Sequence, residues 1–464
     1  MKVHFIAIGG SGMSAVAELL LDAGYEVQGS DQKESAALAH LRERGANVFV
    51  GHDPAHVEGV DLVVVSSAIR ESNVELARAR ELGVRVIHRS QGLVLAAGES
   101  PFIAVAGSHG KTTTSGMLAV ALTHAGLAPS FAVGSVVEGL GVRAHLDTGP
   151  FVAEADESDG SFLNYHPRVA LVTNIEPDHL FHYGSVEAVE QAFVDFAHNL
   201  TEGGLLVACA DDPGSRRLAE ATRAEGIRVR TYGESADADV RIAVEESTPI
   251  FIRAKLYGDA DAGGEYPLVL RVPGVHNLLN AAGAWCAGVE LGVAPEAMAA
   301  ALEQFAGTKR RFETIGIADG VRVVDDYAHH PTEVEALLGM ARQTAGEGKV
   351  IMVFQPHLYS RTRDFAEEFG TALSLADEVV LLPVDGARED PIPGVTSALI
   401  EPHVRSSLTS VAPDEHDGTK PAGTAQAVAK VGEIAVEGDI VLTSGCGTVT
   451  AVAPLLVDAL RHRG

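Results

Sequence analysis

The sequence of 464 residues predicts an α/β protein built from three domains. Three observations carry this. Over residues 1–97 short apolar runs alternate with helical patterns, as in a parallel, doubly wound sheet. At Phe102–Ala106 a second compact strand restarts the pattern and leads into a helix near Lys111. After Phe312 a third α/β pattern begins. Joints near residues 98 and 308 divide the chain into 1–98, 99–307 and 308–464.

In the first domain Val3–Ile8, Glu26–Gly29 and Leu62–Val65 are expected as strands, with helices at Ser14–Ala23 and Val74–Leu82. The second continues with strands at Phe151–Glu154, Val169–Thr173 and Leu205–Cys209, and the alternation over Val240–Val272 adds a small antiparallel sheet. The third has strands at Val321–Asp325, Val350–Phe354, Glu378–Leu382 and Asp439–Thr443. Glu401–Gly423, mixing Pro, Gly, Ser and Asp, is expected as loop. No short-period repeat is present, which argues against a solenoid.

Composition excludes several classes of function. A net charge of −28 repels phosphate backbones and argues against a general nucleic-acid binder. Any anionic ligand must then be held by a local device, such as a helix N-terminus or well-placed arginines. Cys209, Cys286 and Cys446 are odd in number and form no C-x-x-C pair, which suits a reducing interior without disulfides or zinc. Residues 112–137 lack charge, but Gly116, His124, Gly126, Pro129 and Gly134 interrupt them, so a buried helix and loop are expected there. Met1–Gly10 lacks the long apolar region of a signal peptide. A cytoplasmic protein without a membrane partner is expected.

Two glycine-rich turns carry chemistry. Gly10-Ser11-Gly12-Met13-Ser14-Ala15 fits G-x-G-x-x-A after a strand and at the start of a helix. Small residues there let a pyrophosphate approach the free N–H groups at the positive end of the helix dipole. Asp31, about twenty residues on, lies where such folds place an acid for a ribose. By itself the turn does not separate NAD from another diphosphate such as a UDP-sugar. The second turn, Gly107-Ser108-His109-Gly110-Lys111-Thr112-Thr113, also lies between a strand and a helix. It has the chemistry of a phosphate loop: backbone N–H groups wrap a phosphate, Lys111 neutralises charge and Thr112 reaches Mg²⁺. The strict G-x-x-x-x-G-K-[ST] pattern fails, because Val105 occupies the place of its first glycine. ATP is the ligand this turn predicts. Acids at Glu154, Asp156, Glu157 and Asp159, and the run Glu176-Pro177-Asp178-His179, follow strands of the same domain. Acids at the carboxyl ends of parallel strands beside a phosphate loop are placed to hold Mg²⁺.

These runs resemble the Mur ligase family. GGSGMS (9–14), GSHGKTTT (107–114), EADESDGSFL (154–163), NIEPDH (174–179), HNLLN (276–280), KRRFE (309–313), DDYAHHPTEV (325–334), FQPH (354–357) and SRTRD (360–364) occur in the family's order across nearly the whole chain. The resemblance implies an N-terminal Rossmann-like domain for a UDP-sugar, a central P-loop-type ATPase domain and a C-terminal Rossmann-like domain that closes over the site. It implies ATP-dependent ligation of L-alanine to UDP-N-acetylmuramate through an acyl phosphate, in peptidoglycan precursor synthesis, by a monomer or homodimer. A recycling ligase that attaches a whole tripeptide is the alternative within the family. By the same resemblance Gly10, Ser11, Gly12, Met13, Ser14, Asp31 and Ser66 contact the UDP-sugar. Residues Gly107 to Thr113 hold ATP, with Thr112, Glu154 and His179 at metal positions. His276, Asn277 and Asn280 contact the ATP base, Arg311 and Asp326 reach the nucleotide, and His329 and Arg361 face substrate. Lys111, His179, Arg311 and His329 form the implied catalytic set.

From the residues alone, Arg310-Arg311 could clamp phosphates or be a solvated basic turn, and His329-His330-Pro331 reads as a helix start capped by Thr332 or Asp326. Two positions depart from the family pattern. Phe181 stands where an acid is usual, and Leu358 where an arginine follows Gln-Pro-His. Sister ligases adding later amino acids use a carbamylated lysine; the lack of lysine between Lys111 and Lys255 fits the alanine-adding branch.

Overall fold

A computed structural model describes residues 1–258, 264–387, 389–413 and 419–463, excepting the side chains of Leu180 and Phe181. The expectation attached to Phe181 therefore lies outside the described residues. The chain divides into two compact units, one of Met1–Ser247 with Phe251–Ala306 and one of Thr248–Ile250 with Gly307–Gly464.

The first unit holds two sheets. One is all parallel, in the order Asn47–Val50, Glu26–Asp31, Lys2–Ile6, Leu62–Val65, Arg85–His88. Strand order reverses beside Lys2–Ile6, and a ligand crevice forms at the carboxyl ends next to such a point. The expected strand to Ile8 stops at Ile6, because Ala7 turns into the left-handed region at φ 64°. The following helix spans Ser11–Asp22, three residues before the expected start, because its first turn is small residues without an apolar stripe.

The other sheet of this unit has ten strands. Its parallel centre runs Arg228–Gly233, Leu205–Cys209, Val169–Val172, Phe102–Ala106, Phe151–Glu154, Ser130–Ala132. Phe102–Ala106 is buried throughout, as a strand covered on both faces must be. The alternating segment forms Val240–Ser247, Ile252–Tyr257 and Glu265–Leu270, paired antiparallel as expected. Lys111–His124 is buried over Thr112–Leu122, which explains its lack of charge. Beyond it lies a short strand, Ser130–Ala132, where loop was expected. The two sheets form one unit because a single apolar cluster joins Val3, Phe5 and Val16 to Phe102, Phe151 and Phe196. Each large side chain so buried contributes about 1.5–3 kcal/mol.

On the other face of the first sheet, three histidines converge on one carboxylate. Glu75, fully buried on the helix Val74–Glu81, accepts from Ser30 Oγ at 2.5 Å, His52 Nδ1 at 3.0 Å and His56 Nδ1 at 2.7 Å. His4 Nε2 lies 3.5 Å away. Burial alone would raise the carboxyl's pKa, but hydrogen bonds from His4, Ser30 and His56 outweigh it and hold the group at about 2.

The second unit has six strands in the order Glu313–Ala318, Val321–Asp326, Ile440–Ser444, Val350–Phe354, Glu378–Leu381, Ser407–Ser410. All pairs are parallel except the first. Ser407–Ser410 corrects the expectation of loop over 401–423; its polar sequence carries no strand pattern, and pairing to Glu378–Leu381 makes it an edge strand. The last strand begins at Ile440, because Asp439 turns its carboxylate back to the N–H groups of Lys349 and Val436. Helix Pro331–Ala345 is capped by His330 with Glu333 in a capping box, and not by Thr332 or Asp326. Apolar clusters fill both faces of this sheet.

Candidate active site

The phosphate-type loop leaves the buried strand at Gly107 and enters its helix at Gly110, both with positive φ, at 128° and 87°. A Cβ on Gly107 would stand 2.2 Å from Thr173 Oγ1, and one on Gly110 2.7 Å from Asn280 Oδ1. Glycine is required at both by backbone and by space. Gly110 caps the helix without a side chain, which leaves the first N–H groups to face a ligand. Asn174 Oδ1 accepts the His109 N–H at 2.8 Å, and Thr173 Oγ1 donates to the His109 carbonyl at 2.6 Å, so the next strand's end fixes the loop. His109 Nε2 lies 3.3 Å from Glu176.

Lys111 folds back over its own loop. Its ammonium donates to the carbonyls of Gly107 at 2.5 Å and Ser108 at 3.3 Å, and to both Glu157 oxygens at 2.9 Å. Burial would lower its pKa, but the charges of Glu157 and Asp156 outweigh burial and hold it above the usual lysine range. Asp156, raised by burial but pulled down further by Lys111 and Arg89, is held at about 2.

Thr112 Oγ1 and the Glu154 carboxylate come together around Gly134. A Cβ on Gly134 would stand 3.1 Å from both Glu154 oxygens and 3.2 Å from Thr112 Oγ1, and the Gly134 N–H donates to Glu154 at 2.5 Å. A hydroxyl and a carboxylate facing one side-chain-free cradle suit a hard cation with oxygen ligands. His179 lies in the left-handed region at φ 56° with Nε2 3.7 Å from Glu157 and 3.5 Å from Asp178. Of the candidate base contacts, Asn280 is buried against Gly110, Asn277 donates to the Pro273 carbonyl at 2.7 Å, and His276 is half-buried on the same helix.

The N-terminal glycine turn carries more charge than the sequence reveals. Gly10 caps the helix Ser11–Asp22 without a side-chain hydrogen bond, and Met13 and Ser14 are buried behind it. Arg143 donates to Ser11 Oγ at 3.0 Å and to Ser14 Oγ at 2.6 Å. Arg89 Nη1 lies 2.6 Å from where a Cβ on Gly12 would be, and the same guanidinium pairs with Asp156 at 2.7 Å. Two cations at the positive end of a helix dipole repel it unless an anion lies between them. Asp31 accepts the Gly9 N–H at 2.9 Å, and Ser66 follows the strand Leu62–Val65, half-buried. Sequence reasoning missed Arg89 and Arg143, which reach the turn from distant segments.

In the second unit Arg311 follows Arg310 in a loop where Arg310 and Phe312 have φ of 60° and 50°. Buried Asp325 accepts from Thr443, Thr450 and Arg310, at 2.6, 2.8 and 3.2 Å. Asp326 accepts the N–H groups of Phe312 and Ala328, both at 2.7 Å, and burial pushes its pKa up to about 6 despite Arg311. Asp326 thus holds the arginine loop as well as being a nucleotide candidate. His329 contacts Tyr327 O at 3.0 Å and Glu333 at 3.3 Å through Nδ1, and burial pushes its pKa down to about 3 against the pull of Glu333. It is therefore neutral at pH 7, able to orient a donor but not to supply a cation. Arg361 is buried, whereas Arg363 is exposed and pairs with Asp364. Leu358, at φ 70° and ψ 131°, caps the helix Tyr359–Asp364 in a strained conformation.

Glycine-rich turns at the carboxyl ends of strands in parallel sheets define a class of nucleotide-handling α/β proteins. Models of the Mur ligase family match three stretches: the catalytic domain over residues 2–99, the middle domain over 105–288, and the glutamate ligase domain over 310–447. The chain belongs to the Mur ligase family. It is 54% identical to UDP-N-acetylmuramate–L-alanine ligase of Kineococcus radiotolerans, over 100% of this chain and 97% of that one. It is 51% identical to the enzyme of the same name from Paenarthrobacter aurescens, covering 99% and 97%. Among solved structures it is similar to UDP-N-acetylmuramate-alanine ligase from Thermotoga maritima, with TM-score 0.78, 28% identity and coverage of 99% and 98%. No helix among the described residues is long and apolar enough to cross a membrane.

Proposed function

We propose that this ligase joins the amine of L-alanine to the lactyl carboxylate of UDP-N-acetylmuramate with ATP, for peptidoglycan precursor synthesis. The observation that carries this reading is one compact unit with two anion cradles, at Gly10–Ser14 and at Gly107–Thr113, linked by the acids of 154–159. Full-length identity to ligases of that name supplies the substrates. The division of labour is residues 1–98 for the UDP-sugar, 99–307 for ATP and 308–464 for closing the site. The enzyme works in the cytoplasm, where ATP and the UDP-sugar are made, as a monomer or homodimer.

A carboxylate must be activated before an amine displaces its oxygen. The lactyl carboxylate attacks the γ-phosphorus of ATP, ADP leaves, and the amine of alanine then adds to the acyl phosphate and expels phosphate. Lys111 and the loop N–H groups hold the phosphates, and phosphoryl transfer is mainly positioning and electrostatics. Arg89, Arg143 and the N-terminal helix hold the diphosphate of the UDP-sugar. Thr112 and Glu154, with His179 as a further candidate, would hold Mg²⁺, which supplies charge neutralisation between phosphate oxygens. Arg311, Asp326, His329 and Arg361 are assigned to nucleotide and substrate by the family pattern. Water must be kept from an acyl phosphate, which closing of the site provides.

Incubation with ATP, UDP-N-acetylmuramate and either L-alanine or the tripeptide tests the reading by product mass. The alanyl product is expected. A tripeptide adduct alone, or ATP hydrolysis without amide product, would refute it.

A further inference from the structure

This inference rests on the assignment of Lys111 to the phosphates of ATP. The three hydrogens of its ammonium face the carbonyls of Gly107 and Ser108 and both oxygens of Glu157. A phosphate oxygen reaching that ammonium must displace one of them. The carbonyls belong to the loop backbone, fixed from behind by Thr173 and Asn174, so the carboxylate is the partner that can yield. Glu157 is 3% exposed and presents two carboxylate oxygens side by side, as a phosphoryl group does; burial pushes this carboxyl up to about 7 against the pull of Lys111, so its charge is kept by that pairing. Its backbone is anchored, with Tyr183 Oη donating to its carbonyl at 2.5 Å, so only the side chain can swing. A second seat lies close by: His179 Nε2, 3.7 Å from Oε1.

We propose that Glu157 is an internal phosphate mimic, a positioning residue that holds Lys111 in register over the loop and competes with ATP for its ammonium. Binding of ATP moves the carboxylate from Lys111 toward His179. Lys111 also feels Asp156 and Glu154, so the loop's cation sits among three acids, and Glu157 is the one bonded to it directly. Such a competitor keeps a buried ammonium paired at every stage of turnover and weakens the hold on ADP, which favours its release.

Glu157→Gln keeps the shape and removes the charge. Titration calorimetry with ATP in EDTA should show roughly tenfold tighter binding than wild type, the size of a lost competing charge-assisted hydrogen bond. The KM for ATP should fall in step while kcat does not rise, and affinity for the UDP-sugar should stay within about twofold. Unchanged or weaker binding of metal-free ATP overturns the proposal, as does a loss confined to MgATP, which would make Glu157 a metal ligand. If the glutamine variant does not fold, Glu157→Asp withdraws the carboxylate from Lys111 and is read the same way. Wild type that binds no ATP, or Lys111→Ala that binds it equally well, would instead sink the assignment of Lys111.

Discussion

Replacing Glu75 by glutamine tests whether a buried charge, and not only packing, holds the N-terminal sheet together. The carboxyl is held at about 2 against an ordinary 4.5. That difference favours the folded state by roughly 3.4 kcal/mol at pH 7. Because the folded pKa is the lower one, the contribution is complete above the unfolded value and is lost as pH falls through the folded value. By pH 3 about 1.4 kcal/mol should remain. Glutamine removes this term and turns an N–H toward His52 and His56, which already offer hydrogens to that site. Local opening is the right observable, since a chain of two units need not unfold in one step. Hydrogen exchange in peptides covering 52–57 and 74–81, corrected for intrinsic rates, should quicken by two orders of magnitude or more at pH 7. By pH 3 the gap between variant and wild type should narrow to roughly tenfold. Exchange within twofold of wild type at pH 7, or a gap that does not change with pH, would show that charge is not the source of stability.

Lys111→Ala should abolish ATP binding and ligation while affinity for the UDP-sugar stays within about twofold; retained phosphate release would contradict its role. Arg143→Ala should weaken the UDP-sugar roughly ten- to a hundredfold without altering ATP affinity, because a charge-assisted hydrogen bond is worth about 1.5–3 kcal/mol; calorimetry with each ligand separates the effects. Arg361→Ala should cost a similar or larger factor in kcat/KM, whereas Leu358→Arg should be neutral or mildly helpful. Near-wild-type kinetics for Arg361→Ala would end the argument that a charge is needed there.

The phosphate loop was legible in the sequence because its chemistry is local: glycines, lysine and threonine follow one another between a strand and a helix. The strands that flank it were legible as compact apolar runs. Arg89 and Arg143 were not, because each reaches the glycine turn by tertiary packing, and an isolated arginine carries no signal of where it points. The pairing of Glu157 with Lys111 was hidden for the same reason, although both lie in runs the sequence singles out. Ser407–Ser410 was lost because an edge strand beside a finished sheet needs no alternation of its own. His330 as a cap was passed over because histidine is an unusual choice; only the Glu333 partner three residues on hinted at it.

One short segment ties the two cradles together. The Gly134 N–H bonds Glu154 at one end, and Arg143 bonds Ser11 and Ser14 at the other, with Val133 N donating to the Arg143 carbonyl at 2.8 Å. Between them, positions equivalent to Cβ on Gly139 and Gly141 meet nothing within 4 Å. The segment therefore has fixed feet and a turn that is open at Gly139 and Gly141, while Leu140 between them packs on the apolar core. Insertions in lineages that keep this fold should collect beside Gly139 and Gly141, and leave Leu140 in place. A gained or lost residue nearer either foot would move a carboxylate at one cradle or a guanidinium at the other, and selection acting on one substrate would then be felt in the recognition of the second.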